Sequence, residues 1–476
     1  MSHIKTIFKN MSWLMISQII ASICGFIWTI LIARYLGVND YGILGFAISL
    51  TGILTITTDL GISTHIVRHI ATDYDSAPKY LGNAIPLKSL FSFGTILITL
   101  IILILMKANE ITITVTLLFT FEMIFKSFTS LLNGAFQAFE EGKYQGITNT
   151  ILNLILLIFI LISIFTNLGL YGITISYVLA NLIALTYCYY AFRTKISKPK
   201  FELDKSFCKK IIVLALPFAI TSFLSTLYFS IDVVMLTNMV GSYATGIYNA
   251  TYKLISILTL FYSVYLAVSF PVMSKLFKND KKLLIISFEK SVKYLTMIII
   301  PIAIGTMFYS LDLIQLIYGH EYDSAYSVLQ ILIWTVVFLF ISGACNTLLY
   351  SSHKERSVTN IYIIAAIFNI GLNLIMIPYI SYNGAAITTV LSEILIVAIQ
   401  VYIIYKIGHK ISKKLYYDIF KVIIGSTILG ILLYFLKLNM WIAIPFGIII
   451  YLLVIILLKF FDEDDKYIIK EILGKT

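Results

Sequence analysis

The chain has 476 residues, of which 59% are hydrophobic and only 12% charged, with a mean hydropathy of +0.93. A water-soluble globule, which carries about 25% charged residues, is excluded. The 35 Lys and Arg against 24 Asp and Glu would suggest nucleic acid in a soluble protein, but their placement along the chain excludes that partner here.

A spanning helix takes about 20 mainly apolar residues, each rising about 1.5 Å across a core of about 30 Å. In chain order this rule predicts spans near 11–33, 41–63, 84–106, 111–132, 146–166 and 171–191. Six more follow near 211–235, 243–270, 292–310, 326–350, 359–378 and 384–405, and two close the chain near 419–436 and 441–459. Lys5 and Lys9 precede an apolar stretch too long for a cleaved signal, so it reads as an uncleaved first span. With the N-terminus placed in the cytoplasm, 30 of the 35 basic residues fall in cytoplasmic segments. Three (Arg34, Lys107, Lys437) are external, and two (Lys126, Lys253) lie within spans. Positive charge on short loops marks the inner face, so the charge reports topology: a multi-pass protein of the cell membrane with both termini cytoplasmic.

The longest loop, Phe192 to Lys210, has no room for a nucleotide-binding domain, and no G-x-x-x-x-G-K-[ST] phosphate loop occurs. Cys24, Cys188, Cys208 and Cys345 are too scattered for a metal or redox motif and read as packing residues. The six histidines form no ligand spacing, and no cofactor is expected.

Two stretches recur. Gly37 and Gly42, between spans 1 and 2, return as Gly241 and Gly246 between spans 7 and 8, 204 residues later. Gly172–Leu179 (GITISYVL) opens span 6, and Gly384–Leu391 (GAAITTVL) opens span 12, an offset of 212. Six spans per half make the repeat parallel, the arrangement of transporters with a cavity between two lobes and alternating access. The fold class is thus an all-α polytopic membrane protein of about fourteen transmembrane helices, with two six-helix lobes and two extra C-terminal helices. The expected divisions are an N-terminal lobe over 1–195, a basic connector over 196–210 containing Pro199, a C-terminal lobe over 211–408, and two spans with a solvated acidic tail over 409–476.

The segments ARYLGVNDYG (Ala33–Gly42), TTDLGISTHIVRHIA (Thr57–Ala71), GIYNATYKL (Gly246–Leu254) and NLIMIPYISYNGAAITTVLSE (Asn373–Glu393) resemble, in order and at matching spans, the polysaccharide-biosynthesis, O-antigen-flippase-like branch of the multidrug/oligosaccharidyl-lipid/polysaccharide exporters. The resemblance covers about the first 400 residues. It implies a 14-helix, two-lobed transporter that moves lipid-linked sugars outward without ATP.

A charge at the bilayer centre costs about 2.5–3.5 kcal/mol on insertion scales, so each one requires a reason. Lys253, ten residues into span 8, reads as a site for substrate phosphate or as an ion pair with Asp232 of span 7. Glu393 in span 12 is a candidate for pairing with a cation, for a coupling proton, or for a packing hydrogen bond. Glu122 and Lys126 are four apart on span 4, so they share a helix face and can neutralise each other, with phosphate contact by Lys126 the other reading. Asp59 and Asp232, nearer span ends, read as charge-pairing residues. Arg34 closes span 1 and is either an interfacial anchor or, as the resemblance implies, a substrate contact whose guanidinium fork suits phosphate.

The expected function is a flippase. It carries a polyprenyl-phosphate-type lipid-linked oligosaccharide from the cytoplasmic to the outer leaflet, for surface polysaccharide or cell-wall glycan assembly. Its partners are that lipid, the bilayer, and the glycosyltransferases or polymerase of the same pathway; it is not an enzyme. Two alternatives stay open: a multidrug-type cation antiporter of the same fold, and a membrane-embedded transferase or ligase acting on lipid-linked sugars. The latter would need a clustered acid/base or metal site at one face, and the sequence presents none.

Overall fold

Hydrocarbon offers no hydrogen bonds to a backbone, so a chain this apolar satisfies its amides within helices. The computed structural model describes residues 2–196, 202–462 and 465, and all regular structure among them is helical. Among the described residues, eleven helices are long and apolar enough to cross a membrane. Two of them are of double length: α1 (Ser2–Asp59) breaks at Gly37, and α12 (Glu355–Lys406) breaks at Ile380 and Ser381. Helix α8 (Ser242–Asn279) bends by 42° between Ser242–Thr259 and Val264–Asn279. Taking the halves of α1 and α12 separately, with bent α8 as one further span, gives about fourteen crossings near the positions that hydropathy predicts.

The remaining helices are α2 (Ile62–Ile70), α3 (Ala77–Leu105), α4 (Glu110–Ala138), α5 (Gly142–Phe165), α6 (Gly169–Lys195), α7 (Lys205–Met239), α9 (Lys281–Phe308), α10 (Ser310–Tyr318), α11 (Ala325–Ser351), α13 (Lys413–Leu436) and α14 (Met440–Leu457). Side chains in the short loops begin several of them. Asn109 accepts from the Thr112 amide at 2.8 Å, Asp204 from Ser206 at 2.9 Å, and Asp280 from Lys282 at 2.9 Å. Each satisfies an amide that a helix start leaves without a partner.

Packing divides the chain into two compact units, one ending at Asn249 and the other beginning at Ala250, inside α8. In the first unit α1 packs on α4, α5 and α7, and α6 packs on α4 and α5. In the second, α11 packs on α9 and α12, and α13 on α9 and α14. The six-plus-six lobes remain a reading of the sequence repeat, and residues 197–201 of the basic connector lie outside the described residues.

The repeated glycines have a physical reason. Gly37, at φ 70°, ends the first half of α1 in a conformation that costs a side-chain-bearing residue about 1 kcal/mol or more. Beyond it, a Cβ on Gly42 would stand 1.9 Å from the Ser242 carbonyl oxygen, and one on Gly246 2.0 Å from that of Val38. The two matched segments thus lie backbone against backbone within the first unit.

Helices α2 and α10 are short elements that hydropathy did not predict. In α2, Ile62, Ile66 and Ile70 are wholly buried, four apart, while Thr64 and Arg68 are exposed on the other side. His65 is buried with them; its Nε2 has no hydrogen-bond partner, and its ring lies 4.5 Å from that of His69. Burial, with His69 and Arg68 close by, lowers its pKa from 6.5 to about 4.

The acidic run after α14 is a correction to the sequence reading of a solvated end. Asp465 is fully buried, because lysines of α9 reach it; residues 463–464 and 466–476 lie outside the described residues.

Two outcomes are expected. Gly246→Val drives a side chain into the Val38 carbonyl and lowers the thermal unfolding midpoint in detergent, by the equivalent of about 2 kcal/mol. Gly94→Ala, with nothing within 4 Å of its new Cβ, does not. Second, His65 folds neutral, so its contribution is complete above pH 6.5 and is lost as pH falls toward 4. The midpoint therefore drops more between pH 7.5 and 5 in the parent protein than in His65→Phe.

Candidate functional site

The charges in and at the ends of the spans of the first unit sort into sheltered and exposed groups. Asp59 closes α1, and its carboxylate pairs with the Lys88 ammonium of α3 and accepts from the Ser63 hydroxyl of α2. Lys88 is wholly buried and also donates to the Ser127 carbonyl of α4 at 3.0 Å. One buried cation thereby ties four helices at the α1–α2 break. On α4, Glu122 accepts from Asn181 of α6 at 3.0 Å. Lys126, one turn on, attracts the Glu122 charge without closing an ion pair, and its own side chain is exposed. Asp232 of α7 is buried and accepts from the Tyr248 hydroxyl at 2.9 Å. Arg34, near the end of the first half of α1, is exposed.

In the second unit Lys253 of α8 is exposed, whereas Glu393 of α12 is buried, within electrostatic reach of Tyr262 and Tyr362. A polar chain extends nearby. Tyr362 accepts from Asn346 at 3.0 Å, and Gln400 donates to Asn346 at 2.9 Å and to Ser342 at 3.0 Å. Among the described residues no three His, Cys, Asp or Glu side chains gather as metal ligands. An almost wholly apolar groove of about 470 Å³ lies between α9, α13 and α14, with Met297, Pro301, Leu433 and Ile448 in its walls.

Of the candidates from the sequence, Asp59, Glu122, Asp232 and Glu393 thus lie in or beside polar networks, and Arg34, Lys126 and Lys253 are exposed. Lys88 is the residue it missed. Sorted with the cytoplasmic lysines, it in fact lies inside α3, buried. Its position within the apolar stretch 84–106 is the signal that marks it. Lys293, also sorted as cytoplasmic, is likewise buried in α9.

With this architecture in hand, the comparisons place the chain. Residues 7–277 match the family described as Polysaccharide biosynthesis protein, and residues 217–375 match MatE. The first match covers more than half of the chain, which belongs to the polysaccharide biosynthesis protein family. Among curated relatives, the capsular polysaccharide biosynthesis protein CapF of Staphylococcus aureus is 25% identical over 408 residues, 84% of this chain and 99% of that protein. The probable low-salt glycan biosynthesis flippase Agl15 of Haloferax volcanii is 21% identical, covering 80% of this chain and 79% of that one. The lipid II flippase MurJ in an inward closed conformation superposes with a TM-score of 0.79 at 17% identity, over 93% of this chain and 97% of that one. An inward-facing multidrug resistance MATE transporter gives 0.66 at 14% identity, over 83% and 96%. These likenesses show the fold shared across the multidrug/oligosaccharidyl-lipid/polysaccharide superfamily, in a multi-pass membrane protein.

One outcome tests the Asp59–Lys88 network. Lys88→Met leaves a carboxylate in a largely dry site and costs about 3 kcal/mol of stability. Asp59→Asn combined with Lys88→Met recovers most of that loss, read as thermal midpoints of the two variants in the same detergent.

Proposed function

We propose that this protein is a transporter, not an enzyme, that moves a lipid-linked oligosaccharide of polyprenyl-phosphate type from the cytoplasmic to the outer leaflet. It does so by alternating access between two lobes, with both termini in the cytoplasm. The observation that carries this reading is the contrast among the intramembrane charges. Asp59, Glu122, Asp232 and Glu393 are buried or half-buried, while Lys126 and Lys253 within spans and Arg34 at a span end present exposed cationic side chains. A cationic side chain within a span suits an anion that replaces water, and a lipid-linked phosphate is such an anion. Family membership and the flippases among the relatives support the same cargo.

The energetics need no nucleotide. Moving negative charge out of a negative interior gains about 2.3 kcal/mol per charge per 100 mV. Lys253 binds the phosphate near the midplane, Lys126 and Arg34 assist along the path, and Glu393 or Asp232 carries any coupling ion. Delivered outside, the sugar enters surface polysaccharide or cell-wall glycan, made with the glycosyltransferases or polymerase of the same pathway.

A cation antiporter is the second reading, favoured by the MatE match over 217–375. Its cavity would be net acidic, whereas the exposed candidates Arg34, Lys126 and Lys253 are basic.

The test is leaflet distribution of a lipid-linked oligosaccharide in proteoliposomes, read with a membrane-impermeant probe. The parent protein is expected to transfer the lipid and Lys253→Ala to lose at least about tenfold in rate, one charge-assisted contact's worth. Transfer unaffected in Lys253→Ala would return Lys253 to a structural role. Exchange of organic cations with no glycolipid transfer would replace the flippase by the antiporter.

A further inference from the structure

The largest ion-pair network among the described residues lies away from the groups assigned above, in the second unit. Lys290, Lys293 and Tyr294 of α9, Lys414 and Asp418 of α13, and Asp462 and Asp465 after α14 converge there. Asp465 accepts from Lys290, from Lys293 at 2.6 Å and from Tyr294 at 2.6 Å. Asp462 accepts from Lys290 at 2.9 Å and pairs with Lys414 at 2.6 Å. The two aspartates also hold each other: the Asp462 amide donates to Asp465 at 3.0 Å, and the Asp465 amide to Asp462 at 2.8 Å. Lys293 is buried and reaches two more acceptors, Asp418 at 3.2 Å and the Phe460 carbonyl at 2.9 Å.

The charge balance decides what this site can do. Four lysines, Lys421 at 3.8 Å from Asp418 included, face Asp418 and the two tail carboxylates. With the tail withdrawn, Asp418 alone answers four positive charges, one of them on a buried side chain. A buried cation without a counter-charge is strongly unfavourable, so the withdrawn state requires another anion. The donors indicate which one. Two ammonium groups and a phenol hydroxyl aimed at one carboxylate form a set that a phosphate, with three acceptor oxygens and up to two negative charges, also satisfies. The surroundings indicate its source. One helical turn beyond Lys293, Met297 begins the apolar groove between α9, α13 and α14, which a free phosphate ion cannot use but a hydrocarbon chain can.

We propose that Lys290, Lys293, Tyr294 and Lys414 form a binding site for the phosphate of an anionic lipid, closed in this structure by the protein's own Asp462 and Asp465. The tail carboxylates and the lipid compete for the same donors, so lipid binding releases the segment after α14 from α9. The site is separate from the cargo path through Lys253 and is read by binding, not by transfer.

The experiment uses the full chain in a neutral detergent with a fluorescent phosphatidic acid as ligand. The matched phosphatidylcholine and inorganic phosphate are the comparison arms, and thermal midpoints are recorded throughout. Asp462→Asn with Asp465→Asn is expected to raise phosphatidic acid affinity roughly tenfold, with phosphatidylcholine unchanged, since freed charged donors each contribute a strong bond. Adding Lys290→Gln and Lys293→Gln abolishes the gain. Unchanged phosphatidic acid affinity in the folded double-Asn variant overturns the proposal, because the network is then a structural clasp. A gain that survives the Lys→Gln changes overturns it too, and displacement by inorganic phosphate as effective as by phosphatidic acid overturns its lipid part. If the double-Asn variant does not fold, Asp462→Asn alone keeps the buried Asp465 in place. It carries the same expectation through Lys290 and Lys414, with an unchanged affinity again overturning the site.

Discussion

A bilayer core supplies no hydrogen bonds and little dielectric screening, and the rest of this structure follows from that shortage. Backbone amides find partners only along their own helix, which is why the described residues are helical almost throughout. Ionic groups at depth face the same shortage more acutely. Asp59 and Lys88 meet it together, with Ser63 and the Ser127 carbonyl completing the shell of a wholly buried ammonium. The pair sits where α1 gives way to α2, so the constraint that neutralises a charge also fixes a change of chain direction.

The same shortage separates charges sheltered inside the fold from charges left at its surface. A carboxylate beside Asn181 or Tyr248 has been provided for by its neighbours. An exposed lysine or arginine within a span carries its charge at the end of a long side chain. Movement of a lipid-linked sugar across the bilayer, as proposed above, requires spans that reorganise without exposing backbone. Close glycine contacts such as Gly42 on Ser242 and Gly246 on Val38 let chain segments meet over small areas, without interlocking side chains between them.

At the margin of the spans the balance changes. Lys290, Lys293 and Lys414 stand where charge is affordable, and they recruit carboxylates that composition alone assigns to solvent. Burial by itself would raise the carboxyl pKa of Asp462, yet the hydrogen bonds from Lys290 and Lys414 hold it well below the usual carboxylate range. An acidic tail is thus a structural element when enough ammonium groups lie within reach, and a solvated one otherwise.

The spans, their order and the duplicated glycine segments were legible in the amino-acid sequence. A run of about 20 apolar residues is a local property, and a Gly-to-Gly spacing survives without knowledge of its surroundings. The candidate charges Lys253, Arg34, Lys126, Glu393, Asp232, Glu122 and Asp59 were legible for the same reason, since a charge inside an apolar run stands out. Their partners were not. Lys88 finds Asp59 across 29 residues of chain, and Lys293 finds Asp465 across 172. Such pairings depend on which helix faces meet, and hydropathy carries no record of that. Likewise, α2 and α10 are too short to register as spans; they are set by burial of Ile62, Ile66 and Ile70 against neighbouring helices and by the turn after α9. The sequence by itself determined that the chain crosses a membrane many times and where its helices run. Only the tertiary structure decided which charges are paired with one another and which side chains are buried, because neutralisation requires proximity that chain order does not encode.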